Sequence, residues 1–126
     1  LLETDLVDIM EAVWEENLDQ LDIKWSDKSC ACVVIASGGY PEKYETGKEI
    51  SGLDEKGQSP LAYVYHAGTK LENGKYYTAG GRVLGVTATG SDLREALDKA
   101  YKAVDAITFE KAHHLNDIGQ RALKAL

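Results

Sequence analysis

The run CACVVIAS, Cys30 to Ser37, constrains the fold more than any other stretch. It is apolar at every position up to Ala36 and β-branched in its middle, with no polar alternation. That pattern predicts a strand covered on both faces, hence the centre of a sheet. With 126 residues the covering layers must come from the chain itself, and this length fits one domain with one core, residues 1–126.

The remaining elements are read from periodicity. From Thr4 to about Leu18, apolar residues fall at Leu6, Ile9, Met10, Val13 and Trp14, the spacing of one helical face, with Thr4 as the expected cap and Asp5 and Asp8 in the first turn. LAYVYHAGTKLENGKYYTAGG carries the Asn73-Gly74 pair, which predicts a tight type I′ hairpin with Lys75 just past the turn. RVLGVTAT predicts a further strand with Arg82, Leu84, Val86 and Ala88 on one face. Ser91 is the expected cap of a helix with the stripe Leu93, Ala96, Leu97, Ala100, Tyr101 and Val104. The tail from Lys111 to Leu126 predicts a short closing helix. The order implies an α+β domain, a small antiparallel β-sheet flanked by helices.

A formal net charge of -7 excludes generic binding to nucleic acid or an anionic membrane, both of which need basic patches. No apolar run reaches the roughly 20 residues of a membrane span, and no secretory leader is visible, so the expected location is cytoplasmic. The chain opens LLETDL without an initiator Met, which suggests a piece of a longer polypeptide. Cys30 and Cys32, two apart on an extended segment, are expected to be buried and reduced, and no further ligands at metal spacing accompany them.

Chemistry-bearing motifs are few. The loop ASGGYPEKYETGKEISG is not a P-loop, because Gly47-Lys48 is followed by Glu49 and position 42 is Glu42. Gly38 and Gly39 read either as a sharp exit from the strand or as a place where a ligand approaches the backbone. On the second reading, replacing Gly39 affects activity more than stability. Ser37 lacks a nucleophile elbow, and His113 and His114, being adjacent, cannot chelate together. His66 reads as a strand-end residue without chemistry. Lys70, Lys75 and Arg82 concentrate positive charge in an acidic chain, either as edge protection or as a site in which Lys75 and Arg82 converge on one anion beside Gly80 and Gly81. No catalytic residue and no metal ligand is assigned.

Four blocks, VVIASGGYPEKYETGKEISGL, HAGTKLENGKYYTAGGRVLGVTATG, LREALDKAYKAVDAITFE and NDIGQRAL, resemble in order and spacing the C-terminal domain of the phosphoribosylamine–glycine ligases, or glycinamide ribonucleotide synthetases. The likeness runs from Thr4 to about Leu123. These enzymes belong to the ATP-grasp ligases, whose C-terminal domain is a rudimentary hybrid motif that packs back on the core. The resemblance implies a parent that joins glycine to phosphoribosylamine with ATP and magnesium, or manganese, giving glycinamide ribonucleotide, ADP and phosphate. It implies that the N-terminal substrate domain and the ATP clamp lie outside this chain, which alone binds no nucleotide and is inactive. By likeness to related transformylases and carboxylases, it assigns Lys75 and Arg82 to the ribose 5-phosphate. It also turns the loop of Gly38 and Gly39 toward the cleft. Leu115 departs from the family, which usually has basic residues before DIG. A freestanding binding or assembly module with the same fold is the alternative.

Overall fold

The computed structural model describes all 126 residues. Helix α1 spans Leu6–Trp14, strand β1 Ser29–Ala36, β2 Tyr63–His66, β3 Thr69–Glu72, β4 Lys75–Thr78, β5 Arg82–Gly90, helix α2 Leu93–Asp105 and α3 Gln120–Ala125. None of the helices is long and apolar enough to cross a membrane. The architecture is α+β with two antiparallel sheets, β1-β5-β2 and β3-β4.

The centre of the main sheet is β5, not the CACVVIAS strand. β1 lies at an edge and pairs only with β5. One face of β1 is covered, carrying Ala31, Val33 and Ile35, while Cys32 and Val34 face outward and are exposed. The unbroken apolar run misled because the outward positions are filled by small or apolar residues where a solvated face normally shows polar ones. Both cysteines are free, and the expected burial fails: Cys30 is half-buried and Cys32 exposed.

Register explains the position of Arg82. Ile35 stands opposite Leu84 but Ala36 opposite Arg82, so Val83 is an extra residue in β5. This bulge lets Val83 and Leu84, consecutive in sequence, both be fully buried. It also takes Arg82 off the face of Leu84 that strict alternation assigns, and its side chain is exposed. Beyond the bulge, Leu84, Val86 and Ala88 point into the core as predicted.

Helix α2 covers that inner face. Its buried stripe is Ala96, Leu97, Ala100, Ala103 and Val104, close to the predicted one. Three alanines on this face let the helix backbone lie near the strands, so that Val33, Ile35 and Val86 fill the space between layers. The cap is Asp92 rather than Ser91. The Asp92 carboxylate accepts from the Glu95 N–H at 2.8 Å, and Glu95 reaches back to accept from the Ser91 N–H at 2.7 Å and hydroxyl at 2.6 Å. This reciprocal arrangement satisfies donors that a helix start leaves open. At α1 the cap is likewise one residue later than expected: Asp5 accepts from Val7, while Thr4 is used by the Lys24 N–H at 2.6 Å. The helix also ends early, at Trp14, before Glu16 with φ 57° and a 3-10 turn at Leu18–Gln20.

The predicted hairpin is present. Asn73 and Gly74 have φ of 50° and 76°, the left-handed pair a type I′ turn needs, and join β3 to β4. The segment before it does not join that hairpin. β2 pairs with β5, and the Ala67 and Gly68 N–H groups both donate to the Val83 carbonyl where the chain leaves for the smaller sheet.

The Glu95 carboxyl is held well below its usual 4.5, at about 2, first by Lys99 and then by the Ser91 hydroxyl and N–H. A carboxyl depressed in the folded state contributes stability above its unfolded value and loses it as pH falls toward the folded one. Thermal melts of Glu95→Gln across a pH series are therefore expected to show a shallower stability loss than wild type between about pH 4.5 and about pH 2. Parallel acid-side profiles would show that the pairing does not contribute.

Candidate functional site

Three segments meet where β1 ends. Ser37, 2% exposed, donates its N–H to the Gly81 carbonyl at 2.7 Å and its hydroxyl to the Gly80 carbonyl at 2.8 Å. Ala36 exchanges two backbone hydrogen bonds with His113, at 2.9 and 3.0 Å. The SGGYP turn is thus fastened on one side to the glycine pair before β5 and on the other to the segment after α2. Tyr40 packs its ring on Gly81, where any Cβ would collide with it, and lies 6.1 Å from the Tyr44 ring. The Tyr40–Pro41 bond is cis.

Gly38 and Gly39 are required by this packing. A Cβ on Gly38 would meet the Lys111 Cβ at 2.6 Å and its carbonyl at 2.8 Å. Gly39 has φ of 97°, and a Cβ there would strike the Lys43 carbonyl. Gly39 serves the turn's own closure, whereas Gly38 lets the segment after α2 approach the turn, so each is accounted for by packing within the chain.

Arg82 sits beside this turn, opposite Ala36, with its side chain exposed and without an ion pair. Lys75 is placed otherwise. It stands at the turn end of β4, opposite Glu72, and its ammonium meets Glu49 at 3.0 Å. That carboxylate raises the Lys75 pKa from its ordinary value. No polar contact joins Lys75 to Arg82, and Lys70 is likewise occupied, by Glu72 at 2.7 Å.

Next to the turn is a cleft of about 230 Å³, lined by Ser37, Lys43, Glu45, Lys48, Glu110 and Lys111 among others. Lys48 is held between Glu45 at 3.2 Å and Glu110 at 3.3 Å. The pairing raises Lys48, through Glu45 first and Glu110 next, and lowers Glu45, through Lys48 first and then the charge of Lys111. These are solvent-screened pairs and contribute little to stability. Nothing in the sequence flagged this cleft, because Glu110 reaches Lys48 only through the return of the chain after α2.

The other candidates are structural. His66 ends β2, with Nδ1 2.7 Å from the Thr69 hydroxyl oxygen and Nε2 2.8 Å from the Gly57 carbonyl oxygen. His114 lies against Tyr101, with ring centres 5.8 Å apart. No three His, Cys, Asp or Glu side chains come together as metal ligands would.

Residues 30–121 match the family of phosphoribosylglycinamide synthetase C domains. The chain belongs to this family. Among curated relatives, the phosphoribosylamine–glycine ligase of Clostridium acetobutylicum is 46% identical over 95% of this chain and 28% of that ligase, and that of Synechocystis is 47% identical over 98% and 29%. A bifunctional purine biosynthetic protein of Pichia angusta is 45% identical over 98% of this chain and 16% of its own length. The crystal structure of a phosphoribosylamine–glycine ligase from Thermotoga maritima superposes with a TM-score of 0.62 at 38% identity, covering 71% of this chain and 21% of that one. The chain therefore spans less than a third of the length of these relatives.

Within this C domain, Leu115 is exposed, and its carbonyl accepts from the Tyr101 hydroxyl at 2.8 Å. Only its backbone serves the fold there. The side chain brings no charge to the segment that runs past the turn.

The geometry at Gly39 predicts a direct cost in stability. Gly39→Val is expected to destabilise the chain by several kcal/mol, since strained backbone of this kind costs about 1–3 kcal/mol before any collision is counted. Gly47→Ala, also at positive φ but with no atom within 4 Å of the added Cβ, is expected to cost less. Urea unfolding of the two variants measures the difference. A Gly39→Val chain as stable as wild type would return the loop to a ligand-facing role.

Proposed function

We propose that this chain is the C-terminal domain, residues 1–126, of an ATP-dependent phosphoribosylamine–glycine ligase of the ATP-grasp class. The parent joins glycine to 5-phosphoribosylamine to give glycinamide ribonucleotide, ADP and phosphate in purine biosynthesis, in the cytoplasm. The observation that carries the reading is identity of 45–47% over 94–98% of the chain to ligases of that name and to a bifunctional purine enzyme. Insertions or losses large enough to remove an element would break such continuous coverage.

The residues present do not fit a nucleotide and its metal. There is no glycine-rich phosphate loop, and no carboxylate cluster for magnesium or manganese. ATP and the metal are assigned to the rest of the ligase, and this domain contributes a wall of the substrate site and core packing. Calorimetric titration of the 126-residue chain with Mg-ATP is expected to give no saturable heat at micromolar concentrations. Micromolar binding would move nucleotide contacts into this domain.

Arg82 is the residue best suited to the 5-phosphate. It is exposed, unpaired and beside a turn fixed from both sides, so its guanidinium can grip two phosphate oxygens from a rigid base. Lys75 adds less, because Glu49 already shares its charge. A charge-assisted hydrogen bond contributes about 1.5–3 kcal/mol. Arg82→Ala in the ligase is therefore expected to raise KM for phosphoribosylamine on the order of 10- to 100-fold, leaving KM for ATP and glycine nearly unchanged. Lys75→Ala acts in the same direction and more weakly. Steady-state kinetics with each substrate varied in turn decide it, and wild-type kinetics in a folded Arg82→Ala enzyme would remove Arg82 from the site.

A further inference from the structure

Asn17 precedes Leu18 and Asn116 precedes Asp117, and of the asparagines Asn73 alone precedes a glycine. That pair makes the turn between β3 and β4, and both of its residues are exposed. The Asn73 carboxamide forms no hydrogen bond, and neither does the peptide group linking the pair, the Asn73 carbonyl and the Gly74 N–H. Nothing lies within 4 Å of the place where a Cβ on Gly74 would stand. The turn thus holds an electrophilic amide carbon and, on the next residue, a backbone nitrogen, both unengaged and open to water.

The strands on either side are held. Glu72 pairs with Lys75, Leu71 with Tyr76, Lys70 with Tyr77 and Thr69 with Thr78. On the other edge of β4, the Ile50 N–H donates to the Tyr76 carbonyl and the Thr78 N–H to the Lys48 carbonyl, both at 2.8 Å. A five-membered ring between the Gly74 nitrogen and Asn73 Cγ needs that nitrogen eclipsed with Cβ. For an L residue this means ψ of about −120°, which a type II′ turn has at its first central residue together with φ of about +60°. Asn73 already has φ of 50°. Turning the central peptide group over converts type I′ to type II′ and reverses the sign of φ at Gly74, a change that glycine makes without strain. Both turns close a two-residue hairpin, so the reactive geometry is reached without unpairing β3 from β4.

We propose that Asn73-Gly74 is a self-modification site, at which the turn cyclises to a succinimide and opens to aspartate and isoaspartate with water as the only co-reactant. The Gly74 nitrogen gives its proton to hydroxide and bonds to Asn73 Cγ. The Cγ–Nδ2 bond breaks, and that nitrogen leaves as ammonia after taking a proton from water. Water then adds to one of the two imide carbonyls. Cleavage between the Gly74 nitrogen and Cγ yields aspartate, cleavage between that nitrogen and the backbone carbonyl carbon yields isoaspartate, and nothing is oxidised or reduced. The two products differ in their effect on the fold. Asp-Gly suits the same turn, whereas isoaspartate inserts an extra backbone carbon into a two-residue loop and takes the pairing of Glu72 with Lys75 out of register. Either product adds negative charge two residues from Lys75, whose ammonium is already met by Glu49.

The test incubates the 126-residue chain in water enriched in heavy oxygen, with peptide mapping by mass spectrometry over a pH series. The peptide holding Asn73 is expected first to lose the mass of ammonia and then to gain the label. Its rate should rise about tenfold per pH unit on the alkaline side of neutrality, as hydroxide does. Asn17 and Asn116 are internal references, and conversion at either ahead of Asn73 would overturn the proposal. The folded chain is expected to convert at least as fast as the same chain unfolded in urea at equal pH. If ring closure required the hairpin to open, the folded rate would fall by the opening equilibrium, on the order of tenfold or more, and that result would also overturn it. Asn73→Gly keeps a pair suited to the type I′ turn and is expected to fold and show neither mass change. Label uptake by the same peptide of that variant would place the reaction at another residue.

Discussion

From Leu84 to Thr87, every residue of β5 has a backbone partner on both sides: Ile35 and His66, Val34 and Tyr65, Val33 and Val64, Cys32 and Tyr63. This double pairing is the constraint on which the rest of the fold depends. It fixes which residues face α2, and the alanine stripe of α2 then sets how near the helix lies. It also fixes where β1 ends, because the bulge at Val83 brings Arg82 opposite Ala36 and places the Gly80-Gly81 carbonyls where Ser37 donates to them. The SGGYP turn inherits its position from that register. A slip of one residue in the pairing would exchange the buried and outward sets together.

The candidate site is a seam, not a pocket built by one motif. Strand end, interstrand connection and post-helix segment each contribute backbone to it, and side chains project from a frame whose polar groups are already satisfied. Such a frame suits a substrate wall. Lys75 and Lys48 are both engaged by carboxylates, whereas Arg82 forms no ion pair. The distinction separates charge already engaged within the domain from charge free to meet a ligand, and composition alone does not reveal it.

Short-range features were legible in the sequence. Asn73-Gly74 announced its turn because the conformation is dictated by two residues, and the α2 stripe because a helix repeats its own geometry. Caps at Asp5 and Asp92 were each displaced by one residue from Thr4 and Ser91, where two capable side chains stand in succession and only tertiary contacts choose between them: Thr4 is taken by Lys24, and Ser91 is held by Glu95. The place of β1 was misread, because a run of apolar residues does not distinguish a doubly covered strand from one whose outer face awaits a neighbour. The Lys48 cleft was invisible, since its charges come from segments far apart in the chain. Family resemblance supplied the proposed function, which no local pattern here encodes.

The order of strands has a consequence for how the chain acquires its structure. Ser29 pairs with Gly90 and Ala36 with Arg82, so the most apolar strand meets its only strand partner after roughly fifty residues of intervening chain. Until β5 has been made, CACVVIA is an unpaired edge of high β-propensity, the kind of segment that associates between molecules. The β3-β4 hairpin, closed locally by two residues, is free to form in that interval. Synthesis rate across residues 37–90, more than the stability of the finished sheet, then governs how long the chain is vulnerable to aggregation.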